Sequence, residues 1–254
     1  MFDCHMHANF STDSRMRVEE ILAKSEELNI GCIITEHIDF NFPRPGEFIF
    51  DIDDYFKTYN RYRGDKFLLG VELGMKDDCI SDNKEVAERY PFDYIIGSIH
   101  MINNTDLYYE KLYNGRTKNQ VYTEYFQCML KNIKNHTFID SLGHIDYIAR
   151  YARYEDKELY YNEYSDLIDE VLKMVINSGI VLELNTKRLA DKGSVDNLIE
   201  IYKRYRELGG LNVTIGSDAH NMNDIGKNLN VALKLAEVCE LKPVYFRNRK
   251  AEYM

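Results

Sequence analysis

Six of the seven histidines in this chain, His5, His7, His37, His100, His144 and His220, each end an apolar, strand-like run, and only His136 does not. In Phe2-Asp3-Cys4-His5-Met6-His7 an extended backbone sends alternate side chains to one side, so His5 and His7 present two imidazoles to one point. A lone His-x-His is a weak motif. The other strand ends supply what it lacks: Thr35-Glu36-His37, Val71-Glu72-Leu73-Gly74, Gly97-Ser98-Ile99-His100, Gly143-His144-Ile145-Asp146, Glu183-Leu184-Asn185-Thr186 and Gly216-Ser217-Asp218-Ala219-His220. Neutral imidazoles and carboxylates suit zinc, iron or manganese, and the absence of thiolates from these segments leaves the choice open. The chemistry such a set supports is that of a multinuclear metal hydrolase acting on a phosphoester.

Positioning so many strand ends at one place requires a repeated architecture. Strand-like runs over Met1–His7, Gly31–Glu36, Phe67–Leu73, Tyr94–His100, Phe138–His144, Ile180–Asn185 and Asn212–Asp218 alternate with helix-like runs. The helix-like runs are Arg17–Asn29, Ile52–Arg63, Asn83–Tyr90, Asn119–Asn135, Tyr161–Ser178, Val195–Leu208 and Leu229–Cys239. In the fifth of these Leu167, Ile168, Val171, Leu172, Val175 and Ile176 form one apolar stripe that stops at Gly179. Ser194 is expected to cap the sixth, with Gly209 beyond its end. Apolar residues in succession, as in Cys32-Ile33-Ile34, suit parallel strands buried on both faces. Seven β-then-α units imply an α/β fold of the TIM-like type, a distorted seven-stranded (β/α)7 barrel, with function at the C-terminal ends of the strands.

Length and composition bound the rest. The 254 residues, 44% of them apolar, show no linker, charge block or repeat, so a single domain over residues 1–254 is expected. No basic N-terminal region precedes an apolar stretch and no run of ~18 apolar residues occurs, which predicts a cytoplasmic protein without a membrane partner. Cys4, Cys32, Cys79, Cys128 and Cys239 lack C-x-x-C spacing and read as reduced thiols. A formal charge of −10 opposes binding to nucleic acid. Oligomeric state is not legible.

From Asp3-Cys4-His5-Met6-His7 to Gly216-Ser217-Asp218-Ala219-His220, the motifs together resemble those of the PHP (polymerase and histidinol phosphatase) family, within it the stand-alone histidinol-phosphate phosphatases. The resemblance implies a centre of three divalent transition-metal ions. It implies that His5, His7, Glu72 and Asp218 hold the first ion, and that Glu72 bridges to a second ion shared with His100 and His144. Asp13, His37 and His220 would hold the third. Three divalent ions bring about +6 and Asp13, Glu72 and Asp218 return about −3, which leaves a local excess of positive charge for a phosphate monoester dianion. The expected reaction is hydrolysis of L-histidinol phosphate, a step of histidine biosynthesis. A metal-bridging hydroxide would be the nucleophile, made available at neutral pH because coordination lowers the pKa of water from ~16 toward ~7. Asp218 is expected to accept a proton as well as to ligate.

Arg150 and Arg188 follow strand ends and resemble the family's phosphate-contacting arginines, whose planar forks match phosphate oxygens. Glu36, Asp146 and Glu183 are candidates to orient ligating histidines. The tyrosine-dense stretch Tyr151–Tyr164 reads mainly as helix packing and His136 as a surface residue. Within the same family, a protein-tyrosine phosphatase, nucleotide phosphatase or exonuclease-like activity is the alternative, and a non-catalytic metal-binding module the alternative from another class.

Overall fold

The computed structural model describes residues 1–254. In chain order the elements are β1 (Phe2–Met6), α1 (Val18–Leu28), β2 (Gly31–Ile38), α2 (Ile52–Tyr59), β3 (Phe67–Gly74), α3 (Ile80–Arg89), β4 (Tyr94–Ser98), β5 (Met101–Ile102), β6 (Thr105–Asp106), α4 (Lys118–Asn135), β7 (Ser141–Leu142), α5 (Tyr147–Tyr151), α6 (Ser165–Asn177), β8 (Val181–Asn185), α7 (Lys192–Glu207), β9 (Asn212–Gly216), α8 (Leu229–Val238), β10 (Lys242–Arg247) and β11 (Lys250–Tyr253). The fold is α/β with a mostly parallel sheet. That sheet has nine strands, in the order β1-β2-β3-β4-β7-β8-β9-β10-β11, where seven were expected. The two extra strands form a C-terminal antiparallel hairpin attached to β9. The backbone N–H of Asp218, just beyond β9, donates to His5 (2.7 Å) and that of His7 donates to Ala219 (2.8 Å), so the sheet's first strand also meets the segment after β9.

The two faces of the parallel strands do different work. On one, Cys32, Ile34, Leu69, Val71, Ile95, Leu182 and Ile215 join the large core beneath the helices, which present stripes such as Ile168, Val171, Leu172 and Val175 of α6. On the other, residues alternate with these along each strand: Ile33, Thr35 and His37 on β2, Leu68, Gly70 and Glu72 on β3. That second face is layered. Its N-terminal layer is apolar, with Phe2, Cys4, Ile33, Leu68, Tyr94 and Val181 packed on Val244 and Phe246 of the hairpin. A middle layer is small or hydroxylated, where Thr214 Oγ1 meets the Tyr94 hydroxyl (2.9 Å) and Ser141 Oγ (3.1 Å). The third layer holds the histidines.

β1 reaches that layer through an irregularity. Phe2 and Cys4 pack in the apolar layer, yet it is the odd-numbered His5 and His7 that face Glu72. The register with β2 shifts between Asp3 and Met6, and such a bulge restores the imidazoles to the same face. Asp3, fully buried, accepts from the backbone of Ser217 (2.8 Å) and Gly226 (2.9 Å) and so ties β1 to the loop after β9.

Two local expectations need correction. The cap of α7 is Asp191, whose carboxylate accepts from the Ser194 N–H (2.8 Å), so Ser194 lies inside the first turn. His136 is fully buried: it ends α4, with Nδ1 2.9 Å from the Asn132 carbonyl oxygen and Nε2 3.2 Å from Nδ2 of Asn83. Burial lowers its pKa, which suits a neutral ring donating at Nδ1 and accepting at Nε2. No helix is long and apolar enough to cross a membrane.

Candidate metal centre

All nine expected ligands reach the third layer, although they come from β1, β2, β3 and the segments that follow β1, β4, β7 and β9. Glu72 is the hub. Its Oε1 lies 2.9 Å from Nε2 of His144 and 3.2 Å from Nε2 of His100. Its Oε2 has three imidazole nitrogens within 3.5 Å: His37 Nδ1 at 3.0, His5 Nε2 at 3.2 and His7 Nε2 at 3.5 Å. Around Asp218, Oδ1 is 3.3 Å from His7 Nε2 and 3.8 Å from His5 Nε2. Asp13 Oδ2 stands 3.1 Å from His220 Nε2 and 3.8 Å from His37 Nε2. The groups expected to share an ion therefore face one another.

The donor set fits divalent metal ions on its own chemistry. Glu72 Oε2 is buried and accepts no hydrogen bond from any of the three nitrogens around it, and Nδ1 of His37, which faces it, is buried without a partner as well. Groups arranged for mutual hydrogen bonding would not leave these atoms orphaned; groups arranged around cations do. His5, His7 and Asp218, and separately His5, Glu72 and His144, each bring three donor atoms within 4.8 Å of one another.

Electrostatics agree with this arrangement. Burial favours neutral His5 and His100, but carboxylates outweigh it and raise both pKa values well above the usual range: Glu183, Glu72 and Asp218 around His5, Asp39 and Glu72 around His100. His7 goes the other way, because burial and the neighbouring His37 and His220 imidazoles both disfavour a proton. Burial alone would raise Glu72 and Asp218. The imidazoles of His5, His100 and His37 around Glu72, and Arg150 and His5 around Asp218, hold both carboxyls well below the ordinary carboxylate range instead.

The outer contacts differ in part from the sequence expectation. Glu183 orients His5 directly, with Oε1 2.6 Å from Nδ1. Glu36 acts through the β1–α1 loop: it accepts from the backbone of Ala8 and Ser11 and from Ser11 Oγ, which is 3.2 Å from Nδ1 of His7. Asp146 touches no histidine among its hydrogen bonds and pairs with Arg188. Asp39 was not anticipated. It lies two residues after His37, its two oxygens are 3.0 and 3.1 Å from Nδ1 of His100, and with His37 and His100 it forms a further cluster of donors. It lies just beyond β2, and only its even spacing from His37 hinted at it. Two glycines make room: a Cβ on Gly74 would sit 1.9 Å from Oδ1 of Asp39, and one on Gly216 would sit 2.3 Å from Cβ of His5.

The two arginines part company. Arg150 donates to Asp218 Oδ2 (2.5 Å) and Asn185 Oδ1 (3.3 Å), leaves its buried Nε–H unpartnered, and lines a small space of about 30 Å³ with His37, His100, His144, Asp218 and His220. Arg188 lines neither this space nor the larger one beside it; it is taken up by Asp146 (2.9 Å), Glu158 (2.5 Å) and Ser194 (2.9 Å). The larger space, about 260 Å³, is walled by aromatic residues that include Phe42, Phe48, Tyr108, Tyr147 and Tyr151. Of the tyrosine-dense stretch only Tyr151 lines it; Tyr164, by contrast, stacks on Tyr122 in the core.

Residues 3–187 match the PHP domain. The chain belongs to the PHP-domain family. It is 54% identical over 253 residues to a probable histidinol-phosphatase of Clostridium acetobutylicum, covering 100% of this chain and 99% of that one. It is 31% identical to a histidinol-phosphatase of Lactococcus lactis, over 86% of this chain and 83% of that one. The crystal structure of the histidinol phosphate phosphatase of Lactococcus lactis, complexed with zinc, L-histidinol and phosphate, is similar to this fold with a TM-score of 0.93 and 26% identity, over 99% of this chain and 98% of that one.

Proposed function

We propose that this PHP-domain chain is a metal-dependent phosphatase that hydrolyses L-histidinol phosphate to L-histidinol and phosphate. The observation that carries this reading is the full-length likeness to the Lactococcus lactis phosphatase complexed with zinc, L-histidinol and phosphate, joined to a buried cluster of donors that fits divalent ions. We read the chain as one domain over residues 1–254. In this reading the backbone hydrogen bonds between β1 and the segment after β9 close the seven parallel strands into a distorted barrel, and the β10–β11 hairpin plugs its N-terminal end.

His5, His7, Glu72 and Asp218 would hold one ion, Glu72, His100 and His144 a second, and Asp13, His37 and His220 a third. When bound, such ions supply Lewis acidity toward phosphoryl oxygens and acidify a water toward neutral pH. The chain's own groups do the rest. Arg150, anchored on Asp218 and Asn185 and lining the small space beside the centre, would contact a phosphoryl oxygen with a charge-assisted hydrogen bond. Asp218, held anionic by Arg150 and the imidazoles, is read as a ligand that also accepts a proton at the reacting centre. The aromatic cavity excludes water around the leaving group. Arg188 contacts phosphate only if it gives up Asp146 or Glu158.

A phosphate-release screen across L-histidinol phosphate, a phosphotyrosine peptide, nucleotides and short DNA tests the reading. Preference for L-histidinol phosphate supports it, and preference for any of the others replaces it.

A further inference from the structure

The larger cavity is bounded next to the centre by Asp13, His37 and His100 and continues between the β2–α2 loop and the β5–β6 hairpin. Three other charged side chains line it: Asp39, Arg44 and Asp106. Two of them are already partnered. Asp39 is taken by His100, and Arg44 pairs with Glu47 at 2.8 Å. Asp106 is not. Its Oδ1 accepts from the Tyr108 backbone N–H (2.8 Å), while its other oxygen has no hydrogen-bond partner and no cation lies within ion-pair distance.

The hairpin holds this carboxylate in place, because Asp106 pairs with Met101 in the β-ladder and the next N–H, of Leu107, donates to the His100 carbonyl (3.0 Å). A chain of rings lines the same cavity. Tyr147 stacks on His144 with centroids 4.3 Å apart, Tyr151 meets Tyr147 edge-on at 5.1 Å, and Tyr108 meets Tyr151 at 5.6 Å. A free carboxylate oxygen in a cavity that rings also line is an environment that binds an organic cation by ion pairing, with the rings packing against the flat part of the same molecule. The substrate read above carries one such group: an ammonium beside the phosphoester, together with a flat imidazole.

We propose that Asp106 determines specificity, taking the ammonium of the leaving group while Tyr147 and Tyr151 hold its ring. This rests on the reading of the substrate as L-histidinol phosphate. Phosphate esters without an amine, such as p-nitrophenyl phosphate, have nothing for Asp106 to hold.

Asp106→Asn tests the assignment, since the carboxamide oxygen keeps the turn bond from Tyr108. Steady-state kinetics on L-histidinol phosphate and p-nitrophenyl phosphate are compared with calorimetric binding of L-histidinol to the metal-replete enzyme. Loss of a charge-assisted contact predicts a fall of about 10- to 100-fold in kcat/KM for L-histidinol phosphate, carried by KM, and L-histidinol binding weakened by a similar factor. p-Nitrophenyl phosphate turnover stays close to that of the wild type. Parallel losses on both substrates, or no loss on either, overturn the role of Asp106 and leave the substrate reading standing. A wild-type enzyme that cleaves p-nitrophenyl phosphate but not L-histidinol phosphate overturns the substrate reading, and this inference with it.

Discussion

Oε1 of Glu183 lies 2.6 Å from Nδ1 of His5, while Oε2 of the same carboxylate accepts a 2.7 Å hydrogen bond from the backbone N–H of His144. One fully buried side chain thus fixes the ring orientation of one expected ligand and the backbone of another. Nδ1 of His5 is occupied, so Nε2 is the nitrogen left to face Glu72 and Asp218.

Removing that support should loosen the ions without removing a ligand. Glu183→Ala is expected to weaken metal affinity by about 10- to 100-fold, and Glu183→Gln by less. Chelator competition measures this, and wild-type affinity in Glu183→Ala contradicts the orienting role.

Glu72 and Asp13 differ in how much of the centre they touch. Glu72 is fully buried among five imidazoles, whereas the Asp13 carboxylate is 41% exposed and meets two. Glu72→Ala should therefore lose more bound metal per chain than Asp13→Ala, as elemental analysis reads it. Equal loss would remove the bridging role.

Alanine at the two arginines should separate contact from scaffold. Arg150→Ala is expected to keep its metal and lose about one to two powers of ten in kcat/KM, the worth of a charge-assisted hydrogen bond. Arg188→Ala strands Asp146 and Glu158, so its main effect should be on stability, roughly 3 kcal/mol for breaking a largely buried ion pair. Thermal unfolding beside kinetics decides, and an Arg188→Ala protein of wild-type Tm with reduced kcat/KM would return Arg188 to phosphate contact.

Eight of the nine expected ligands were legible because each stands in or just beyond an apolar run, where periodicity is clear and polar residues are out of place; Asp13, in the loop after β1, was reached only through the family resemblance. What was hidden lacked such contrast. Asp39 sits among loop-like residues, and its role depends on Gly74 making space three-dimensionally. The β10–β11 turn uses Asn248 and Arg249, both at positive φ (49° and 63°), where hairpins of this kind favour Asn-Gly. Arg249 is held there by Asp140 at 2.6 Å, a partner more than a hundred residues away that no local pattern reveals. His136 is buried because Asn83 and Asn132 satisfy it, which is likewise a matter of packing.

Acid should act on the centre through proton competition. The raised pKa values of His5 and His100 mean that their protonation stabilises the metal-free fold below about pH 6.5, and that this contribution fades as pH rises through the raised values. Glu72 and Asp218, held low, contribute above the ordinary carboxylate pKa of about 4 and lose that contribution as pH falls through the depressed values. Ions must displace the imidazole protons, so metal binding should release protons and tighten with pH, and activity should fall steeply below pH ~6. Titrating metal into weakly buffered metal-free protein reads the protons directly; uptake without proton release contradicts this account.

The most direct test of a metal-dependent histidinol-phosphate phosphatase is turnover of L-histidinol phosphate measured against bound metal in the same sample, first stripped with chelator and then titrated. Turnover should vanish in stripped protein and return as two to three ions per chain are restored. Full turnover after stripping, or saturation with a single ion or none, would contradict that expectation.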